Sequence, residues 1–206
     1  MLVHNRIENS AANGPGNRAV VWTQGCSLNC KGCWNPGTHN FDVAREIDTD
    51  HLVDWVLGLP DIEGVTFSGG EPFQQAGSLW YFCKRVKDRR PDFSIAAYTG
   101  YTLEQLLAGQ WKHSLVHYGT WHQGTERTAR QILGMMDFLV AGRFNAALRC
   151  EDKPLCGSRN QQVRFLTSRY SQKDLTPNVI EIIIDPDADL LQITGFPSNV
   201  DALTAE

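Results

Sequence analysis

The chain has no apolar run of membrane-spanning length, no low-complexity stretch, no repeat in the solenoid range and no linker long enough to separate one domain from another. Those absences exclude a helical membrane protein, a repeat array and a flexible tether. They leave a single domain over residues 1–206, with 42% apolar residues to fill its core. The opening Met1-Leu2-Val3-His4-Asn5-Arg6 leads into polar Glu8-Asn9-Ser10, so no secretory signal is expected and the sequence reads as cytoplasmic. Excess positive charge is lacking too: 19 Lys and Arg against 23 Asp and Glu give a net charge of -4. That balance offers no general attraction to nucleic acid or to an anionic membrane, and neither is expected as a partner. The charge is unevenly placed. Seven basic residues between Arg143 and Lys173 face two acidic ones there, and no Lys or Arg follows Lys173, where seven acidic residues stand. A solvated surface of partly neutralising signs is the simpler reading, and a docking surface beginning at Arg143 is the sharper one.

Six cysteines are present, and in a chain without a signal peptide clustered thiols argue for a metal centre and against a disulfide framework. Three of them crowd into Gly25-Cys26-Ser27-Leu28-Asn29-Cys30-Lys31-Gly32-Cys33-Trp34-Asn35-Pro36, with turn-forming residues between. A structural zinc or an ordinary iron–sulfur cubane takes four protein ligands, so three leave one metal position open, as catalytic sites do. The competing reading is a zinc ion held by the three thiols and His39, although Cys33 to His39 is wider than a typical finger loop. Cys83 falls on the apolar face of a predicted helix and reads as core, and Cys150 and Cys156 receive no role.

Around that loop the chain alternates strands, special loops and helices. Ala19–Trp22 is a short apolar run of the kind buried on both faces, and the cysteine loop follows it. Asp48 or Thr49 can cap a helix carrying Leu52, Val53, Val56 and Leu57, stopped by Gly58 and Pro60. Val65–Phe67 runs into Ser68-Gly69-Gly70-Glu71-Pro72, where two glycines let a ligand approach the backbone beside one carboxylate. A helix with Leu79, Phe82, Cys83 and Val86 comes next. The strand Phe93–Tyr98 leads into Thr99-Gly100-Tyr101, and Thr102 with Gln105 forms a capping box. The Trp- and Tyr-bearing segment with His113, His117 and His122 carries no assignment. A helix from Thr125 and a strand Asp137–Val140 close the pattern, which argues for a mostly parallel sheet with helical crossovers. Ligands of such sheets sit at the carboxyl ends of the strands, so these loops should converge on one rim. Val179–Asp185 and Leu190–Thr194 read as a hairpin turning at Pro186-Asp187-Ala188-Asp189.

The unbroken C-x-x-x-C-x-x-C spacing resembles the signature of the radical S-adenosylmethionine (SAM) superfamily, and Gly69-Gly70-Glu71 resembles that superfamily's motif for the methionine part of SAM. Asn13-Gly14-Pro15-Gly16-x-Arg18, Gly32-Cys33-x-Asn35, Thr99-Gly100-Tyr101, Gly142-Arg143-Phe144 and Gly157-Ser158-x-Asn160-Gln161 add a closer likeness, over about residues 13–163, to the anaerobic ribonucleotide reductase activating proteins. The resemblance implies a partial (β/α) barrel of the radical SAM type. Its core would span about 13–165, with a small C-terminal β-hairpin extension over about 166–206. It implies a [4Fe-4S] cluster on Cys26, Cys30 and Cys33, SAM as cofactor, and a glycyl radical made on a partner reductase, with electrons from a reductant such as flavodoxin or ferredoxin. Gly69, Gly70 and Glu71 would hold the methionine end, Gly32 and Trp34 the adenine side, and Ser68, Thr99 and Gly100 would also contact the cofactor. Asp137 matches an aspartate used near the SAM carboxylate in related activating enzymes, or is simply a strand-start residue. No catalytic side chain beyond the cluster ligands is expected. The segment from about Gln110 to Met136 and the tail after Val163 exceed the smallest activators, which leaves a peptide or small-molecule substrate as the alternative and a zinc-binding interaction module as a third reading.

Overall fold

A computed structural model describes residues 1–42, 45–114, 121–185 and 190–196 of the chain. Its elements are β1 (Leu2–Ser10), β2 (Arg18–Thr23), β3 (Arg45–Glu46), α1 (Thr49–Gly58), β4 (Gly64–Gly69), α2 (Ala76–Arg89), β5 (Ser94–Thr99), α3 (Leu103–Leu107), β6 (Lys112–Ser114), β7 (Trp121–Gln123), α4 (Glu126–Leu133), β8 (Phe138–Ala141), β9 (Gln162–Phe165), β10 (Ile180–Asp185) and β11 (Leu190–Gly195).

Seven strands form one sheet in the order β3-β1-β2-β4-β5-β8-β9. The four in the middle, β2, β4, β5 and β8, run parallel, while β1, β3 and β9 are antiparallel to their neighbours. The fold is therefore mixed α/β with a mostly parallel central sheet. Continuous apolar runs become central strands because both faces are covered: Ala19, Val20 and Val21 of β2 are fully buried, as are Phe138, Leu139 and Val140 of β8. On one face, Leu52, Val53 and Val56 of α1, Leu79, Phe82 and Val86 of α2 and Ile132 of α4 pack against Val65, Phe67, Ile95 and Leu139. On the other, a smaller cluster joins Ala96, Phe138 and Val140 to Leu155, Cys156 and Tyr170.

The helix starts follow the capping residues. Asp48, not Thr49, caps α1, accepting from the amides of Asp50 (2.9 Å) and His51 (3.1 Å). Thr102 and Gln105 close the capping box of α3, and Thr125 caps α4. No helix among the described residues is long and apolar enough to cross a membrane.

Arg18 pins the turn before β2 to the sheet. Its fully buried guanidinium donates to Thr66 Oγ1 (2.7 Å), the Val65 carbonyl (2.9 Å), Ser94 Oγ (3.1 Å), the Pro15 carbonyl (3.2 Å) and Tyr170 Oη (3.3 Å). Burial pushes its pKa down, while Tyr170 and then Glu63 hold it up. Tyr170 in turn donates to Glu63.

Some elements were not evident from the sequence. β1 lacks clean alternation because its pairing with β2 shifts register between Val3 and Asn5 and again between Ile7 and Ser10. The unassigned histidine segment holds the β6–β7 hairpin, where His113 and His122 are directly opposite and their rings stack at 5.6 Å. His117 lies outside the described residues, as does the turn Pro186–Asp189. β10 and β11 pair antiparallel as the expected hairpin, with Ile182 opposite Ile193.

Candidate cluster and cofactor site

The loop that leaves β2 is fastened on two sides before it reaches its first thiol. Gly25 N donates to the Thr38 carbonyl (2.7 Å) and Cys26 N to the His39 carbonyl (3.0 Å), while Gly70 N donates to the Thr23 carbonyl (2.8 Å) and Glu71 N to the Gly25 carbonyl (3.0 Å). Beyond, Gly32 sits at φ +72°, a left-handed conformation that glycine adopts without cost, and Cys33 N closes a turn on the Cys30 carbonyl (3.1 Å). The result turns Cys26, Cys30 and Cys33 into one cavity of about 420 Å³. None of the three is in a disulfide.

The chemistry of these thiols fits a cluster. Burial pushes Cys26 up to about 12, with the Glu71 carboxylate adding to the shift, and burial likewise raises Cys30 and Cys33, while Arg143 pulls Cys30 the other way. Ionised thiolates are disfavoured there until a cation offsets the cost, and a bound metal supplies that charge. Among the described residues no three His, Cys, Asp or Glu side chains gather tightly enough to enclose one metal ion. A cubane takes each thiolate on a separate iron, so its ligands need not gather around one ion.

Glu71 is the buried charge of the cavity. Its Oε1 accepts from Thr99 Oγ1 (2.9 Å) and Phe73 N (3.0 Å), and its Oε2 from Gly100 N (2.7 Å). Burial raises it to about 7, and these three donors work against that shift. The carboxylate therefore braces the loop after β5 against the loop after β4. The glycines before it have a reason the sequence did not reveal: a Cβ on Gly70 would strike the Gly25 carbonyl, and one on Gly69 would come within 2.8 Å of the Thr23 carbonyl. Close approach of the protein's own backbone, and not only of a ligand, requires them.

The cavity also holds unsatisfied polar groups. His39 Nε2 and Tyr98 Oη are buried without a hydrogen-bond partner among the described residues, and both side chains line the cavity. A buried polar atom left unpaired costs about 1–3 kcal/mol, so both atoms are available to a polar partner entering the cavity. An apolar wall stands beside them. The Trp34 ring meets Phe144 (centroids 5.6 Å) and the edge of Phe196 (5.5 Å), with the Arg149 guanidinium 5.7 Å from its centre.

Ser68, Gly69, Gly70, Glu71, Thr99, Gly100 and Trp34 all line the cavity with the three cysteines. Two expected residues do not. Gly32 is exposed at its turn, where a Cβ would approach Ala146 (3.3 Å), and it is outside the cavity wall. Asp137 precedes β8, at the amino end of the strand and away from the rim. It is buried there, accepting from Thr167 Oγ1 (2.8 Å) and Ile95 N (3.2 Å), with Arg169 (3.7 Å) and Lys87 (3.9 Å) as ion partners. That environment corrects the carboxylate-binding expectation in favour of the strand-start reading. The basic segment is likewise partly neutralised in place, Arg159 by Asp152 (3.2 Å) and Arg164 by Glu104 (3.2 Å).

Sequence reasoning missed some of the wall. His4, Asn5 and Ile7 come from β1, and Ile193, Thr194, Gly195 and Phe196 from the C-terminal hairpin. No motif marks either group. Gln161 was signalled by its Gly157-Ser158-x-Asn160-Gln161 motif, and its Oε1 accepts from Gly157 N (2.9 Å) while its Nε2 donates to the Gly142 carbonyl (3.0 Å).

The chain is similar in sequence to several known proteins. Residues 12–164 match the family described as a 4Fe-4S single cluster domain. The anaerobic ribonucleoside-triphosphate reductase-activating protein of Pasteurella multocida is 30% identical over 161 residues, covering 75% of this chain and 91% of that protein. The protein of the same name from Escherichia coli K12 is 27% identical over 173 residues, 81% of this chain and 99% of its own. The pyruvate formate-lyase-activating enzyme of Staphylococcus epidermidis is 37% identical over a shorter stretch, 41% of this chain and 36% of that enzyme. Among solved structures, QueE from Escherichia coli aligns with a TM-score of 0.41 at 14% identity, over 68% of this chain and 69% of that one.

Proposed function

The chain belongs to the 4Fe-4S single cluster domain family and, within it, to the anaerobic ribonucleoside-triphosphate reductase-activating proteins, and from that premise we propose that it is a radical SAM enzyme that leaves a glycyl radical on a partner reductase. When bound, a cluster with one open iron supplies the electron that cleaves SAM to methionine and the 5'-deoxyadenosyl radical. The observation that carries the proposal is the convergence of Cys26, Cys30, Cys33 and the buried Glu71 on one cavity at the carboxyl ends of the parallel strands.

In this reading the three thiolates hold the cluster, and Ser68, Gly69, Gly70 and Glu71 receive the methionine end of SAM. Glu71 opposes the ammonium group with its charge and, through Gly100 and Thr99, fixes the neighbouring loop. Trp34 and Phe144 give the flat apolar surface an adenine requires, and Tyr98 Oη and His39 Nε2 meet polar atoms of the ligand. β1 and the hairpin add to the wall of the cavity and would limit the access of water to a reactive intermediate. A low-potential carrier such as flavodoxin or ferredoxin would supply electrons, and the partner would be a glycyl-radical enzyme. The four parallel strands with helices on one face support a partial (β/α) barrel core over about 13–165, with residues 166–206 as its extension.

The test is anaerobic reconstitution followed by electron paramagnetic resonance on the reductase from the same organism. A glycine-centred signal that depends on SAM and reductant supports the reading, and its absence, with SAM still cleaved, would transfer the chemistry to a peptide or small molecule.

Two variants probe the SAM contacts. Glu71→Gln loses the charge facing the ammonium and turns one of the two acceptor oxygens into a donor amide, so SAM affinity by calorimetry should weaken about tenfold to a hundredfold with iron content unchanged. Equal affinity would leave the carboxylate with bracing alone. Tyr98→Phe removes an unpaired buried hydroxyl, so the unliganded protein should lose no thermal stability while SAM binding weakens by about twofold to tenfold. A fall in stability without a change in SAM binding would remove Tyr98 from the site.

A further inference from the structure

The C-terminal hairpin lies beyond the 12–164 span of the family match, and the Escherichia coli relative is covered over 99% of its length with the remainder of this chain to spare. It nevertheless helps to wall the cavity. Its two faces differ sharply. The inward face is fastened by polar groups: Glu181 accepts from Ser10 Oγ and from Ala11 N (2.7 Å), and Thr194 Oγ1 accepts from Asn13 Nδ2 (2.9 Å). Phe196, just past β11, packs against Trp34 and, at 6.3 Å, Tyr98. With that face tied down, the alternation of a strand sends Ile180, Ile182 and Ile193 outward, and all three are exposed, Ile182 by 58% and Ile193 by 50%. Ile182 and Ile193 are cross-strand partners, so they form one apolar stripe. Ile193 also lines the cavity, so one member of the stripe belongs to the site as well.

An exposed apolar stripe that shares a residue with a reaction cavity marks where something is held on its way in. The hairpin carries no Lys or Arg, and its four charged residues, Glu181, Asp185, Asp187 and Asp189, are all acidic, so neither an anionic membrane nor a nucleic acid is drawn to it. The substrate class implied by the functional reading is a polypeptide whose glycine must enter the same mouth. We propose that the outer face of the β10–β11 hairpin is the docking strip for the partner reductase, taking an extended apolar segment that flanks the target glycine and feeding it past Ile193. This rests on the glycyl-radical reading above and adds the surface that selects the partner.

The experiment compares wild type with Ile182→Glu and the milder Ile182→Thr, both at an exposed position outside the cavity where folding is little affected. Three quantities are measured on the reconstituted holoenzyme: SAM cleavage with dithionite alone, affinity for the reductase from the same organism, and glycyl-radical formation against reductase concentration. A desolvated isoleucine at an interface is worth a large share of the binding energy, so Ile182→Glu should weaken reductase affinity about tenfold to a hundredfold. Ile182→Thr should fall between, radical formation should recover at saturating reductase, and uncoupled SAM cleavage should keep its rate. Trp80→Glu, on the exposed side of α2, should change none of the three. Unchanged reductase affinity in Ile182→Glu, with wild type still making the radical, overturns the docking strip alone. The same unchanged affinity accompanied by loss of a wild-type dimer in sedimentation would assign the stripe to a second copy of this chain. If wild type makes no glycine radical on the reductase, the functional reading fails and the docking strip falls with it.

Discussion

Serine in place of Cys26, Cys30 or Cys33 is expected to abolish the cluster, and with it SAM cleavage, while alanine at Cys83, Cys150 or Cys156 leaves the iron content intact. The first three thiols line the cavity and the other three do not. Cys83 is fully buried on α2 within the helix-side core, where burial raises it to about 12. Cys156 belongs to the cluster on the opposite face, and Cys150 Sγ lies 4.0 Å from its carbonyl. A hydroxyl is a poor ligand for iron in a cubane, so a single serine leaves two thiolates where three are needed. Iron and sulfide analysis after anaerobic reconstitution, together with the visible absorbance of the cluster, reads the result directly. Loss of iron in Cys150→Ala equal to that in Cys26→Ala would show that the ligands are misassigned. Stoichiometric zinc in protein purified without reconstitution would return the zinc reading to first place.

Arg18→Met should be the most damaging substitution outside the cavity. The methionine fills much of the space but leaves Thr66, Ser94, Tyr170 and the carbonyls of Pro15 and Val65 without the donors that now satisfy them. It also removes the cation stacked 5.2 Å from the Phe138 ring. Breaking a buried charged network from one side costs about 3–5 kcal/mol, which for a chain of this size lowers the melting temperature by about 6 to 20 °C. Arg18→Lys keeps the charge without the planar fork and should fall between the two. Thermal unfolding decides it: a change within about 1 kcal/mol of the parent would mean that the network is ornamental.

The regions of the fold legible in the sequence were those where one requirement dominated. Ala19–Trp22 and Phe138–Val140 had to be apolar throughout because helices or loops cover both faces. Cys26, Cys30 and Cys33 stood out because three thiols at so short a spacing call for one shared site, and they do line one cavity, while the capping residues Asp48, Thr102 and Thr125 had to carry an oxygen. Edge strands obey weaker demands. In β1 only Val3, Ile7 and Ser10 are buried, at irregular spacing because of two register shifts, so no period of two survives. β9 alternates too briefly to register, and β6 and β7 are three residues each. The wall supplied by residues 193–196 was invisible for another reason: Thr194 is held by Asn13, 181 positions away in the sequence. Asp137 misled because its residue type suits a ligand contact, while its position at the amino end of β8 puts it at the wrong end of the sheet.

The close fit between Gly25 and Gly70 has a bearing on inheritance. Gly70 and Glu71 donate their amides to Thr23 and Gly25, and there is no room for a side chain between the two backbones. Residues 23–26 and 69–71 are therefore one structural piece written in two places in the gene. A change of backbone path on either side has no viable intermediate unless the other side changes with it. Recombination that joins the front of one activating protein to the back of another between these positions should succeed only when both parents keep the same two glycines. Shuffled libraries cut at about residue 45, scored for retained cluster, would expose that linkage as a deficit of survivors from parents that differ there.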